Sequence, residues 1–461
     1  TGNFVVDGGT IKLDGNYPTG TDNVALGDTA LDSVEAGGIR NVAIGSKALT
    51  AVTTGDANVA IGWQALDALT TSSNNVAVGA NALSANTSGT QNTAVGREAG
   101  QVITTGACNT LVGSFSAQGL TTGSKNTALG SLTFGALTEG DNNTAVGLGA
   151  LAANTTASNS IAVGCGALED NTVGDQNTAV GGTALGDNTE GEYNAAFGYN
   201  ALRKNTTADH GAAFGYYALS CNTTGGNNTA VGTSALRTNT TGDQNTSVGY
   251  ESLCANTTGI NNSSVGQQSL TANTTGCNNA ALGRLALAVN TEGDENVAIG
   301  SCSLRRSTTA NNNTAVGACS LMCNTTGGNN TAIGLCSLLN NTTCSSNTAI
   351  GYLAMCGNGN ISGDLNTALG TLALRCITSG SNNVALGYLS GVNNSTGADN
   401  TFVGANSGQA TTTGGQNVAI GKCALVTNTT AGKNTAVGFE SLKVNTTGAC
   451  NIAMGACALI A

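Results

Sequence analysis

The sequence predicts an all-β protein, a β-solenoid of about 26 rungs in which each 17-residue unit makes one circuit of backbone. Three observations carry this prediction. First, an Asn-Thr-small-Val-Gly phrase recurs. In "NNTAVGTSALRTNTTGDQNTSVG", residues 227–249, its second copy begins 17 residues after its first. The closing glycine can be followed at that interval from Gly45 through Gly351. After an insertion of two residues it resumes from Gly370 to Gly455, and Gly27 stands 18 residues before Gly45. Second, each unit holds a short β-prone stretch of Thr or Val, then Ala, then Val or Ile. Third, Gly and Asn return at fixed places, where they suit the corners of tight turns. The period is too short for a helix pair or a propeller blade. Gly and Asn-Thr-Thr also interrupt every window before two helical turns are complete.

One unit runs from Asn228, position 1, to Gln244, position 17. Positions 2–4 form the strand, with 2 and 4 on one face and 3 on the other. Position 4 is always a large apolar residue and is expected to point inward with the Leu of position 9. Gly at 5 and 15 and Asn at 1 are expected to hold positive-φ corners. Position 12 is usually Asn, but it is Val34, Val52, Leu69, Ile103, Leu120, Leu137 or Ile377 in other copies. A site that exchanges Asn for Leu or Ile is inside, because an exposed one would accept charges. A buried amide needs partners. Stacked on an identical Asn, it donates to one neighbour and accepts from the other. Asn222, Asn239, Asn256 and Asn273 at position 12, and Asn228, Asn245 and Asn262 at position 1, are the expected ladder residues. Stacking at strand spacing gives a rod roughly 120 Å long. Residues 1–22 read as lead-in strands and 23–461 as the solenoid domain.

With 2 and 4 inside, the Ala of position 3 would form a continuous stripe on the outer sheet face. A flat apolar stripe implies close lateral association with identical chains. The alternative is a wider single-chain coil with Ala packed inside.

The phrase N-[T/V/S]-A-[V/I]-G-x-x-[A/S]-L resembles the repeats in the head domains of YadA-like trimeric adhesins. Units with an N-T-T-G turn, as in Asn222-Thr223-Thr224-Gly225, resemble repeats of bacteriophage tail fibres. The opening "FVVDGGTIKLDGNYPTGTDNVALG", Phe4 to Gly27, is similar to the beginning of such a fibre repeat. The resemblance spans residues 23–461. It implies a left-handed parallel β-roll with three chains about one axis. The unit is longer than in adhesin heads, and neither a coiled-coil stalk nor a membrane anchor is evident, which favours the tail-fibre version.

Of the 461 residues, 67 are Gly and one is Pro (Pro18), yet 40% are hydrophobic, enough to order a chain whose burial runs along one axis. The net charge is -11, and 15 Lys and Arg are spread thinly, leaving no basic stripe for a phosphate backbone. Nucleic acid is therefore not an expected partner. No apolar run approaches ~18 residues, so membrane insertion is not expected either. The chain begins at Thr1 without a signal peptide and reads as a processed product or fragment.

Thirteen of the 15 cysteines lie after residue 220. Cys302, Cys319 and Cys336 fall on consecutive rungs at position 7, at a spacing that permits a disulfide. The plainer reading is that Cys replaces Ala or Ser in a rod assembled in a reducing compartment. Cys319 and Cys323 have no His partner, so zinc is not expected.

Catalytic signatures are absent. The one histidine, His210, sits at a corner between Asp209 and Gly211 and reads as a solvent-exposed turn residue. No GxSxG, HExxH, P-loop or GxGxxG occurs, so neither an enzyme nor a cofactor is expected. Asp175, Glu192 and Asp209 share position 16 on successive rungs and are weak metal candidates, since stacked carboxylates repel unless bridged. Solvated corner acids are the plainer reading. Position 6 varies widely and is expected outside. Its Tyr199, Tyr216 and Tyr250 could stack on sugar rings, with Phe197 and Phe214 beside them inside. Stacking between rungs would merely stabilise the sheet.

The expected function is a structural fibre projecting from a virion, homotrimeric, with a role in host attachment. Its expected partners are its own copies, other virion or fibre proteins at its ends, and a host-surface glycan or protein. The alternatives are a bacterial trimeric surface adhesin or extracellular filament, and an ice-binding solenoid using the Thr pairs of positions 13 and 14. Expected locations are the virion or the cell surface.

Overall fold

A computed structural model describes residues 20–460 and the backbone of Ile11–Lys12. Most of the expected lead-in, with Phe4 and Pro18, lies outside the described residues, as does Ala461. The structure is an all-β parallel solenoid with a 17-residue rung and, among the described residues, no helix. It forms two compact bodies, Thr1–Asn227 and Asn228–Ala461. In the N-terminal body Ile11–Lys12 pairs antiparallel with Leu26 and Ala25. Three-residue strands from Val24–Leu26 to Ala212–Phe214 then stack in parallel, each residue opposite its counterpart on the next rung. The C-terminal body repeats the pattern from Thr229–Val231 to Ile452–Met454.

Every rung bonds to both neighbours, as the circuit from Asn245 to Asn261 shows. The Thr246 N–H donates to the Asn262 carbonyl one rung on (2.8 Å), and the Gly249 N–H to Val231 one rung back (2.8 Å). Around the corner, Glu251 N–H reaches back to Thr233 (3.0 Å) while Leu253 N–H reaches forward to Ser269 (2.9 Å). That alternation requires alternating backbone handedness. Positions 7, 9 and 17 are left-handed in rung after rung, as at Glu251 (φ 50°), Leu253 (φ 49°) and Gln244 (φ 58°). Holding a Leu there costs about 1–2 kcal/mol, which the inter-rung bonds and the buried side chain offset.

The expected corners therefore need correction. Gly at position 5 does adopt positive φ, and at Gly249 (φ +130°) a Cβ would also lie 2.7 Å from the Gly266 carbonyl oxygen. Position 15 has ordinary φ. Its glycine is there for room, since a Cβ on Gly242 would meet the Gly259 oxygen at 2.4 Å. Among non-glycine residues, positions 7, 9 and 17 carry the left-handed turns, and the Asn of position 1 does not.

A second correction concerns the strand faces. Ala of position 3 is inside, with no exposed surface at Ala230, Ala298 or Ala315, and positions 2 and 4 face out. The alternative coil, with Ala packed inside, is the one observed. Its interior is filled by positions 1, 3, 8, 9 and 12. The reason is volume, because a 17-residue circuit leaves room for a methyl opposite the Leu of position 9 and little more. Where position 3 is large, position 9 has become Gly. Leu111 faces Gly100, whose Cβ would lie 2.6 Å from it. Phe402 lies between Gly391 and Gly408, whose Cβ atoms would approach its ring to 2.5 and 2.2 Å. Position 4 residues, Phe197 and Phe214 included, are thus on the outer surface.

Candidate functional site

Inside the coil, the stacked Asn residues form runs of linked hydrogen bonds. At position 12 the Asn256 Nδ2 donates to Asn239 Oδ1 (2.7 Å) and Asn273 Nδ2 to Asn256 Oδ1 (2.8 Å). Asn222 donates likewise to Asn205 (3.0 Å). Each also donates to the position-15 carbonyl of its own turn, as Asn256 does to Gly259 (2.9 Å). At position 1 the backbone joins the side-chain amides in the stack. Asn245 N–H donates to Asn228 Oδ1 (2.9 Å), and Asn262 N–H to Asn245 Oδ1 (3.0 Å). These groups are buried and serve the coil, leaving function to the outer surface.

The acids at position 16 are also occupied by structure. Asp175 accepts from the Ser158 N–H (2.7 Å) and Asp209 from the Glu192 N–H (2.7 Å), one rung back in each case. Asp141, Asp294 and Asp364 do the same elsewhere. Of the column Asp175, Glu192 and Asp209, the two aspartates cap corner N–H groups, and Glu192 takes part through its backbone N–H. The described residues hold no group of three or more His, Cys, Asp or Glu placed to bind a metal ion. His210 is exposed, left-handed (φ 58°), and stacked on Tyr193 with centroids 5.1 Å apart.

Two outer features could contact a partner. The first is the outward strand face, where position 4 makes an in-register apolar ribbon along each body. Val231, Ile299 and Ile333 are each 38–39% exposed, and Leu282 is 50% exposed. Thr and Val of position 2 run beside them. Alternation within a strand puts both positions on this one face.

The second is an aromatic cluster in the N-terminal body. Tyr199 and Tyr216 stack at 5.8 Å, and Tyr217 stands edge-on to Tyr216 at 4.4 Å and to Tyr199 at 5.9 Å. Tyr199 also closes over Gly182, whose absent side chain makes the room. Partial desolvation, and then the Tyr217 hydroxyl, raise the Tyr216 phenol above its usual range. Phe197 and Phe214, exposed at position 4, stack at 4.9 Å. Tyr250 is not part of this cluster. It lies in the C-terminal body beside Glu251, whose carboxylate raises its phenol, while Gln268 and Tyr250 together lower the Glu251 carboxyl. Tyr217 escaped sequence reasoning because it occupies position 7, and only its adjacency to Tyr216 signalled it.

Among the described residues no helix is long and apolar enough to cross a membrane. No family model matches the chain, and no curated protein is significantly similar to it.

Proposed function

We propose that the chain is a structural fibre subunit, a left-handed coil that associates as a homotrimer and serves attachment from a virion or cell surface. The observation that carries this reading is the half-exposed ribbon of position 4, in register on rung after rung. Burying such a ribbon against identical copies removes apolar surface from water at about 25 cal/mol per Å². A repeated face also matches itself without any new sequence. The contact surface is thus the face of positions 2 and 4, and not the Ala of position 3. The resemblance of the repeats to tail-fibre and adhesin-head repeats supports the same reading and favours three chains. The cluster of Tyr199, Tyr216 and Tyr217 is the place where a host glycan would dock, since flat exposed rings suit sugar faces. Catalysis is not part of the reading.

Light scattering or sedimentation equilibrium on the purified chain tests the association. The expected mass is three chains. Val231→Lys with Val248→Lys, on adjacent rungs, is expected to give monomers with an unchanged far-ultraviolet spectrum. A wild-type monomer at micromolar concentration would overturn the proposal.

A further inference from the structure

All 15 cysteines are free thiols, and three hold the same place on consecutive rungs. Cys302, Cys319 and Cys336 stand at position 7, where their N–H groups donate to the preceding rung at Arg284 (2.9 Å), Ser301 (2.9 Å) and Ala318 (3.0 Å). Their backbones are nearly identical, with φ of 60°, 55° and 53°. Equal conformation and in-register stacking make the three Cα–Cβ bonds parallel, separated by the strand spacing of about 4.8 Å. All three side chains are partly exposed. Burial raises the Cys319 thiol, and the thiols of Cys336 and Cys302 on its two sides raise it further.

We propose that Cys302, Cys319 and Cys336 form a reversible disulfide staple in which Cys319 bonds to either neighbour and leaves the other as a thiol. A Cα separation of about 4.8 Å lies inside the disulfide range of about 4.4–6.8 Å. Parallel Cβ atoms must draw together from about 4.8 Å to about 4.5 Å or less. The staple therefore pinches two rungs, and a strained, partly exposed disulfide of this kind is readily reduced. It is a reversible device, formed by ambient small disulfides and released by ambient thiols.

The co-reactant is a low-molecular-weight disulfide. One ladder thiolate attacks a sulfur of the reagent, giving a mixed disulfide and releasing one small thiol. The neighbouring thiolate then attacks the protein sulfur of that mixed disulfide and releases the second. Two cysteines are oxidised and the reagent is reduced to two thiols, which carry the two protons. Afterwards the third thiol can attack Cys319 and move the bond by one rung, with no net redox change. The Cys356 thiol is the outside competitor. Burial raises it, and Cys336 is the largest of the neighbouring groups that add to the rise.

The reduced full chain, kept native, is incubated with glutathione disulfide, blocked with a maleimide and mapped without reduction. Trypsin cuts after Arg305 and Arg306, so a bond from Cys302 to Cys319 joins two peptides. A second protease resolves Cys319 to Cys336. The expected result is both bonds, summing to no more than one per chain, and both lost in a severalfold excess of reduced glutathione. C319S is expected to abolish both. C302S should leave only the bond to Cys336, and C336S only the bond to Cys302. Cys319 recovered as free thiol or glutathione adduct in the wild type would overturn the proposal, and so would a Cys336–Cys356 bond as the main product.

Discussion

Two stretches of the interior solve position 12 in opposite ways on the same backbone. From Val34 to Leu137 the site is filled by Val52, Leu69, Ile103 and Leu120 as well, with Asn86 alone among them. From Asn171 to Asn222, and again from Asn239 to Asn290, it is a column of amides. The column differs from its members taken singly. Isolated Asn86 is satisfied within its own turn, donating to the Gly89 carbonyl (3.1 Å) and accepting from the Gly89 N–H (2.8 Å). In the column the oxygen turns to the next rung instead, and each amide comes to depend on its neighbour. Apolar rungs tolerate one another independently, whereas amide rungs are coupled along the axis.

The most severe way to break this contrast is a charge inside the column. Asn256→Asp places a carboxylate against Asn239 Oδ1 and the Gly259 carbonyl, two acceptors that now receive a proton from Asn256. Only Asn273 Nδ2 would still donate to it, and a buried charge left uncompensated costs about 3–5 kcal/mol. Burial raises the folded-state pKa of such an acid above its unfolded value. The penalty is therefore full well above the folded pKa and relaxes as pH falls through it. Urea unfolding at pH 7 and at pH 4 should show a large loss at the first and a smaller one at the second.

Next in size is the apolar stretch. Leu120 is fully buried, and Leu120→Ala should cost about 2–5 kcal/mol. Leu120→Asn is the sharper test, because the Asn86 turn shows how a lone amide is satisfied in this setting. It should cost no more than the alanine variant in thermal melts. A clearly larger loss would mean that the apolar stretch cannot supply the turn bonds seen at Asn86.

The reverse exchange, Asn256→Leu, should cost less, about 1–2 kcal/mol. Leu already fits this place at Leu69 and Leu137. The Gly259 carbonyl keeps a second donor in Asn245 Nδ2 (2.8 Å), and Asn273 Nδ2 keeps Gly276 (2.9 Å). What is lost is the link between rungs, so hydrogen exchange should rise on both sides of residue 256 and not only at it.

Much of this was legible in the sequence because one rung is written again and again. The period, the single circuit per unit, and the inward place of position 12 all follow from what each copy accepts. The strand faces were not legible from alternation, since a three-residue strand of Thr-Ala-Val has an apolar residue on each side. The deciding signal was present elsewhere, in the pairing of Leu111 with Gly100 and of Phe402 with Gly391 and Gly408. Bulk gained at position 3 is surrendered at position 9, and only residues that share an interior need to trade in that way. The left-handed Leu at position 9 was hidden for a different reason. Leu is an unusual choice for positive φ, and here the demand for alternating bond directions overrides the local preference.

The smallest effect has the opposite sign. The C-terminal column is broken at Ser307, and the last amide before the break, Asn290, has a buried Oδ1 without a hydrogen-bond partner, as does the Ser307 hydroxyl. Asn341 ends its run in the same state ahead of Ile361, and the single amide Asn394, between Ile377 and Thr411, shares it. These orphan oxygens thus belong to amides whose next rung supplies no Nδ2. Ser307→Asn would supply one to Asn290, and would lie below Asn324, which bonds to its own turn at Gly327 (2.9 Å). Each buried acceptor newly paired is worth about 1 kcal/mol. The variant should therefore raise the unfolding midpoint in urea with the slope unchanged. An unchanged or lowered midpoint would show that the column gains nothing from continuity, and that each amide is held by its own turn alone.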